Sequence, residues 1–102
     1  MSFLNKAKQF KNLHKEMKKT QAVLSAEIVK GTSSGDLVVI ELNAAMEVKS
    51  IKIDPKVFEK PESAYMEKLI KEALSTALRK AQKVASAKLS QLGNLGGLNP
   101  FA

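Results

Sequence analysis

The chain has 102 residues, the usual length of one domain with one modest core. It carries 17 Lys and Arg against 10 Asp and Glu, a formal net charge of +7, which favours polyanionic partners: nucleic acid first, an anionic membrane surface second. It contains no cysteine, which excludes disulfides, a thiol nucleophile and thiolate metal ligands. Because no segment resembles a signal peptide or a membrane span, we expect a soluble protein of the cytoplasm.

The first predicted element is a helix over residues 3 to about 24, a stretch without Gly or Pro. Its apolar residues follow heptad-like steps and form a seam of Phe3, Ala7, Phe10, Met17 and Leu24. Two polar residues, His14 and Gln21, fill the remaining seam positions. His14 is the only histidine, and it has no second His or Cys with which to build a metal site. We therefore expect it to be a partly buried or interface residue, not a ligand or base.

Two strands follow, joined by a turn. The first is expected from about residue 26 to 31, and the segment GTSSG at 31–35 has the composition of a turn. The second is expected over 36–43, where alternation places three aliphatic residues on one face. These residues are Val38, Ile40 and Leu42.

A third strand is expected over 47–53, with Ile51 and Ile53 on one face. Val48 is out of phase with these two residues, which predicts either a bulge or a strand with two apolar faces. Pro55 follows the strand and cannot donate to a sheet, so the strand should end before it.

The last element is a helix from about 61–63 to Leu92, with a broad apolar stripe along its length. Gly93 predicts its end. We therefore expect one domain over residues 1–92 and a flexible Gly-rich tail over 93–102.

The order of elements predicts an α+β fold in which two long helices flank a three-stranded antiparallel sheet. Each helix should be roughly 30 to 45 Å long, whereas a compact domain of about 100 residues has a radius of gyration of about 13 Å. The helices should therefore project from the sheet and need a partner for their apolar stripes, most simply in a homodimer. The alternative is a monomer in which both helices fold back on one face of the sheet.

Signatures of an enzyme are missing from the sequence. The GTSSG turn lacks the Lys and Ser/Thr that follow in a phosphate-binding loop. Glu67 and Glu72 lie among Lys68 and Lys71, and we interpret them as solvated surface pairs. We therefore expect no catalytic, cofactor or metal site and no small-molecule substrate.

Basic residues are concentrated in both predicted helices. Steps of three, four and three place Lys8, Lys11, Lys15 and Lys18 on one face of the first helix. Glu16 is the only acid between residues 1 and 26. Two structural explanations stay open, a solvated helix face and lysines that complement the dipole at a helix C-terminus. Because like charges at i,i+4 repel, nearly acid-free basic faces favour an anionic partner.

If that partner is DNA, the composition also predicts how it is bound. Lysine is a flexible point charge suited to phosphates, whereas base reading prefers Arg, Asn and Gln, and Arg79 is the only arginine. We expect duplex binding dominated by phosphate contacts, with weak sequence selectivity. The predicted DNA-binding residues are Lys8, Lys11, Lys15, Lys18, Lys19, Arg79, Lys80, Lys83 and Lys88.

Residues 31–58, GTSSGDLVVIELNAAMEVKSIKIDPKVF, resemble the core of the YbaB/EbfC family of nucleoid-associated proteins. The similar features are the Gly-containing turn before a Val-rich strand, then Asn43, and then Glu47-Val48 leading to Ile53-Asp54-Pro55. The Lys- and Gln-rich first helix, the closing helix ALSTALRKAQKVASAKLSQL and the tail also look alike, so the resemblance covers nearly the whole chain.

The resemblance implies an α-β-β-β-α protomer, a tweezer-like homodimer with projecting helices, and duplex DNA binding in the nucleoid that organises DNA or regulates genes. It implies no catalytic or cofactor residue. Family members often have Gly after the Asn of the second strand, where this chain has Ala44, so we expect a longer or differently shaped connection in place of a two-residue Asn-Gly turn.

Two other functions compete with DNA binding. In the first, the chain is a protein-interaction or assembly module whose helices grip a polypeptide, and the lysines only confer solubility. In the second, which is weaker, the basic first helix lies on a membrane surface; that helix has no Trp, and its seam is expected to serve the dimer.

Overall fold

The computed structural model describes the backbone of residues 3–96 and the side-chain surroundings of residues 6–92. Its main elements are α1 (Phe3–Ala26), β1 (Ile28–Thr32), β2 (Val38–Asn43), β3 (Val48–Ile53) and α2 (Ser63–Gly96). Short 3₁₀ turns at Ser34–Asp36 and Pro55–Glu59 connect β1 to β2 and β3 to α2. The predicted α-β-β-β-α order is therefore confirmed.

The three strands form one antiparallel sheet in the order β1-β2-β3. Ile51 lies opposite Ile40, and Val48 lies opposite Leu42, although Val48 and Ile51 are three positions apart. Lys49 is the extra residue of a β-bulge, and it brings Val48 and Ile51 onto the same face. The bulge predicted from the phase of Val48 is confirmed.

The core lies between α2 and one face of the sheet. On the sheet side it contains Val38, Ile40 and Leu42, and on the helix side it contains Leu69, Ala73, Ala77 and Ala81. The alanines let the helix come close to the strands, because small side chains reduce the distance between the two backbones. Each of these three alanines has no exposed surface.

Gly31 lies in β1, directly beneath α2, so it belongs to the expected first strand and not to the turn that follows. A Cβ at this position would overlap the carbonyl oxygen of Ala73 and the backbone nitrogen of Ala77. Gly31 is therefore required by the close approach of two backbones. The turn itself uses Gly35, whose φ of 69° is in the left-handed region.

The connection between β2 and β3 is longer than a two-residue turn, as the Ala44 substitution predicts. Met46 takes the left-handed conformation, with φ 65°, and the Asn43 Oδ1 accepts hydrogen bonds from the Ala45 and Glu47 N–H groups, both at 3.0 Å. The Ala44 N–H donates to the carbonyl oxygen of Leu24, at 3.1 Å. This turn therefore holds the C-terminal end of α1.

The molecule is elongated, with a Cα radius of gyration of 19.3 Å and extents of 67 × 23 × 19 Å. Every residue of α1 from Lys6 to Lys19 is exposed, so this part of the helix does not fold back on the sheet. The predicted projection is confirmed for α1, and the arrangement of the alternative monomer is not observed.

The end of α2 differs from the expectation. The helix continues past Gly93 to Gly96, so the predicted helix end at Leu92 is wrong. One Gly costs a helix only about 1 kcal/mol relative to Ala, which does not by itself end it. Residues 97–102 of the predicted tail lie outside the described residues.

Candidate nucleic-acid interface

Four of the five predicted lysines of α1 form one exposed face. At about 100° per residue, Lys8, Lys11, Lys15 and Lys18 fall within a sector of about 80°. All four side chains are exposed, and none forms an ion pair among the side chains of residues 6–92. We call these four residues the α1 lysine face. A cationic face without compensating carboxylates is suited to a line of phosphates.

The opposite side of α1 is apolar and equally exposed. Phe10, Leu13 and Met17 have 74%, 58% and 62% of their surface exposed. They fall within a sector of about 60°, whose centre is about 150° from that of the α1 lysine face. The helix can therefore contact an anion and an apolar partner at the same time.

The other predicted basic residues differ in their surroundings. Arg79, Lys80 and Lys83 are exposed on α2, but the Lys80 Nζ donates to the Lys30 carbonyl oxygen at 2.9 Å. Lys19 forms an ion pair with Glu16 at 3.6 Å. Half-buried Lys88 pairs with Glu27 at 3.2 Å and so joins α2 to the end of α1.

Four of the nine predicted residues therefore have intramolecular partners, because Arg79 also donates to the Thr76 Oγ1 at 3.5 Å. The structure does not gather all nine into one patch on one helix. Lys88 has a structural role that the sequence could not indicate, because Glu27 is remote from it along the chain. The α1 lysine face, Arg79 and Lys83 keep their cationic groups available for a ligand.

A groove between the β1–β2 turn and α2 was not predicted from the sequence. Its volume is about 540 Å³, and its charged lining residues are Lys68, Lys71, Glu72 and Arg79. Five residues with hydroxyl groups, among them Ser34 of the turn, form the rest of the lining. The lining residues on α2 follow helical spacing, which places them along one part of the helix surface. The turn that completes the groove is not predicted by that spacing, because only folding brings it to the helix.

Glu72 is the acidic residue of this groove, and it is not the solvated surface pair that the sequence suggested. Its Oε2 accepts hydrogen bonds from the Ser34 N–H at 2.9 Å and from the Ser34 Oγ at 2.7 Å. The two hydrogen bonds from Ser34, with a contribution from the charge of Lys68, hold the pKa of the Glu72 carboxyl below its usual range, against some desolvation. Glu72 therefore joins α2 to the turn as a carboxylate.

A second exposed apolar surface lies on β3. Val48 and Ile51 lie on the core side of the sheet, yet 56% and 55% of their surface is exposed. The reason is that α2 packs mainly across β1 and β2 and leaves β3 largely uncovered. Apolar side chains in this position need a partner surface if they are to leave water.

Within the described residues, nothing gathers three or more His, Asp or Glu side chains in a geometry that could hold a metal ion. His14 is exposed on α1, so its predicted partial burial could arise only in an interface. Neither helix in residues 3–96 is both long and apolar enough to cross a membrane.

Comparisons with known proteins agree with this arrangement. The model of the YbaB/EbfC DNA-binding family matches residues 1–97. A nucleoid-associated protein of Dictyoglomus thermophilum is 40% identical over 87 residues, which cover 85% of this chain and 84% of that protein. A nucleoid-associated protein of Bradyrhizobium diazoefficiens is 38% identical over 98 residues, which cover 96% of this chain and 92% of that protein.

The fold also has a solved counterpart. The crystal structure of an uncharacterized protein from Helicobacter pylori matches with a TM-score of 0.59 and 19% sequence identity. The match covers 74% of this chain and 87% of the other, and at this identity it supports the fold alone.

Proposed function

Because the chain belongs to the YbaB/EbfC DNA-binding family, we propose that it is a nucleoid-associated homodimer that binds duplex DNA through phosphate contacts. The relatives named as nucleoid-associated proteins support a role in organising the nucleoid or regulating genes. Location in the nucleoid follows from the same role.

The observation that carries this proposal is the α1 lysine face. Its four side chains are exposed on a projecting helix, and none is paired with a carboxylate within residues 6–92. Each lysine that replaces a condensed counterion at a phosphate adds to the affinity, and the gain falls as salt rises. Arg79 and Lys83 on α2 would add to this surface, with Lys19, Lys80 and Lys88 contributing after their present partners are released.

Homodimerisation is supported by the apolar surfaces that a single chain leaves in water. Phe10, Leu13 and Met17 on α1 and Val48 and Ile51 on β3 are all more than half exposed. A two-fold symmetric pair of chains can cover both surfaces at once, since each chain supplies the same two. The α1 lysine face lies on the other side of its helix and stays accessible in such a dimer.

The experiment is a titration of a labelled duplex with the protein, followed by fluorescence anisotropy at several salt concentrations. Light scattering on the same samples gives the oligomeric state. We expect a dimer whose DNA affinity falls steeply and linearly with log salt. The exposed apolar surfaces also fit a module that grips a polypeptide. A folded dimer that does not bind DNA even at low salt would favour that function over ours.

A further inference from the structure

The groove between the β1–β2 turn and α2 has the chemistry of a phosphate site. Three cationic side chains, Lys68, Lys71 and Arg79, line it, and Glu72 is the one carboxylate among its lining residues. The remaining lining residues, Thr32, Ser33, Ser34, Ser75 and Thr76, all carry hydroxyl groups. Cations together with short hydroxyl donors are the groups that bind phosphate oxygens.

Among the side chains that the structure describes, no carboxylate forms an ion pair with any of the three cations. Arg79 does donate to the Thr76 Oγ1, at 3.5 Å. The nearest carboxylate in the lining, that of Glu72, is directed to Ser34. The groove therefore keeps an excess of positive charge that an external anion can balance.

The hydrogen bonds of Glu72 show what kind of group the turn accepts. Its carboxylate oxygen takes the Ser34 N–H and the Ser34 hydroxyl together, which are the two donors that a phosphate oxygen would use at the same place. Glu72 thus occupies the turn in the free protein, and it places a negative charge that opposes an arriving anion.

We propose that this groove binds a phosphate group, with Lys68 and Lys71 as its cationic ligands and Glu72 as an internal competitor. The inference rests on the proposed DNA binding for its preferred source, the backbone of the duplex. Lys68, Arg79 and Lys83 lie on one side of α2, so the groove continues into the basic part of that helix. From Lys68 to Lys83 the helix rises about 22 Å, enough to follow several successive phosphates.

The test compares the salt dependence of DNA binding by the wild-type protein and by the double variant Lys68→Gln, Lys71→Gln. The matched control, Lys52→Gln, Lys56→Gln, removes the same charge from exposed lysines outside the groove. Two lost phosphate contacts should reduce the slope of log affinity against log salt by about 1.8. The control should change the slope much less, and melting curves establish that each variant is folded.

A second pair of variants tests the competitor. Glu72→Gln should raise DNA affinity at constant salt by more than Glu67→Gln, which makes the same change of charge on the exposed side of the same helix. If the two variants bind DNA equally well, Glu72 does not compete for the site.

The source of the phosphate is settled by following the Ser34 amide in ¹H–¹⁵N spectra during titration with the duplex, with inorganic phosphate and with a nucleoside monophosphate. A shift with the duplex, together with the reduced slope, supports the DNA backbone as ligand. A saturable shift with the monophosphate, with an unchanged DNA slope, supports a free nucleotide in the groove. No shift with any of these probes and an unchanged slope overturn the site. In that case the α1 lysine face can still bind DNA, so failure of the groove site would not contradict the proposed function.

Discussion

The close contact between Gly31 and α2 makes one substitution particularly informative. In Gly31→Ala, the new Cβ would overlap the Ala73 carbonyl oxygen and the Ala77 backbone nitrogen. Neither atom belongs to a flexible side chain, so the helix as a whole would have to move away from the sheet by about an ångström to restore ordinary contacts. Overpacking of a core costs about 1–3 kcal/mol, occasionally more, and this case should be at or above the upper end.

The matched control is Gly35→Ala. A Cβ at Gly35 meets only ordinary contacts, with Leu37 at 3.6 Å, but the residue has φ 69°. Gly35→Ala should therefore lower the free energy of unfolding by the cost of a left-handed non-glycine residue, about 1–2 kcal/mol. For a domain of this size, 1 kcal/mol corresponds to about 4–8 °C in Tm, so Gly31→Ala should lower the Tm by roughly 12 °C or more.

The assay is thermal and urea unfolding at one fixed protein concentration, because the stability of a dimer depends on concentration. The double variant Gly31→Ala, Ala77→Gly provides a further check. It removes the overlap with the Ala77 Cβ but leaves both backbone overlaps, so it should not regain wild-type stability. Full rescue by Ala77→Gly, or a Gly31→Ala variant as stable as Gly35→Ala, would refute the close-approach explanation.

The Glu72 carboxylate in the groove and the apolar surface on β3 can each be tested by a substitution. Ser34 holds the pKa of the Glu72 carboxyl below its usual range. The stabilisation that this carboxylate contributes should therefore be complete above the pKa of a Glu in the unfolded chain, about 4.3. It should be lost as the pH falls through the lowered pKa of the folded state. The Tm advantage of wild type over Glu72→Gln should therefore disappear in acid, and an advantage that is independent of pH from 2 to 7 would contradict this linkage. If the chain forms the proposed homodimer through β3, Ile51→Lys should give a folded monomer, measured by light scattering and circular dichroism. Ile28→Lys, at a residue that is 50% exposed on the other face of the sheet, should remain dimeric, and dimers in both variants would place the interface away from β3.

The sequence predicted the elements well because their signals are local. Period-two alternation located β2, and the phase of Val48 predicted the bulge in β3. The length of the helices also predicted an elongated molecule, since two long helices cannot both fit within the radius of a compact domain.

The errors arose where the outcome depends on contacts between distant segments. The sequence places Gly31 at the border of a strand and a turn, whereas its role depends on Ala73 and Ala77, more than 40 residues away. The sequence predicts Glu72 as part of a solvated pair with a neighbouring lysine, because its hydrogen-bond partner, Ser34, lies in another element. Gly93 was given too much weight as a helix end, although α2 continues to Gly96.

The candidate site was predictable only in part, because some of it depends on contacts between segments that are distant in the sequence. Helical spacing alone places Lys8, Lys11, Lys15 and Lys18 on one face, and the structure leaves all four exposed. Helical spacing could not show that Lys88 pairs with Glu27. It also could not show that the β1–β2 turn closes a groove against α2.

DNA binding by the α1 lysine face is tested by the salt dependence of duplex binding in a variant with all four of its lysines changed to Gln. A charge-matched control changes Lys49, Lys52, Lys56 and Lys60, which are exposed outside α1, so both variants lower the net charge from +7 to +3. We expect the α1 variant alone to lose slope, by about 0.9 for each phosphate contact removed, and by up to about 3.6 if all four lysines bind. Equal changes of slope in the two variants would mean that only overall charge matters, and would contradict DNA binding by the α1 lysine face.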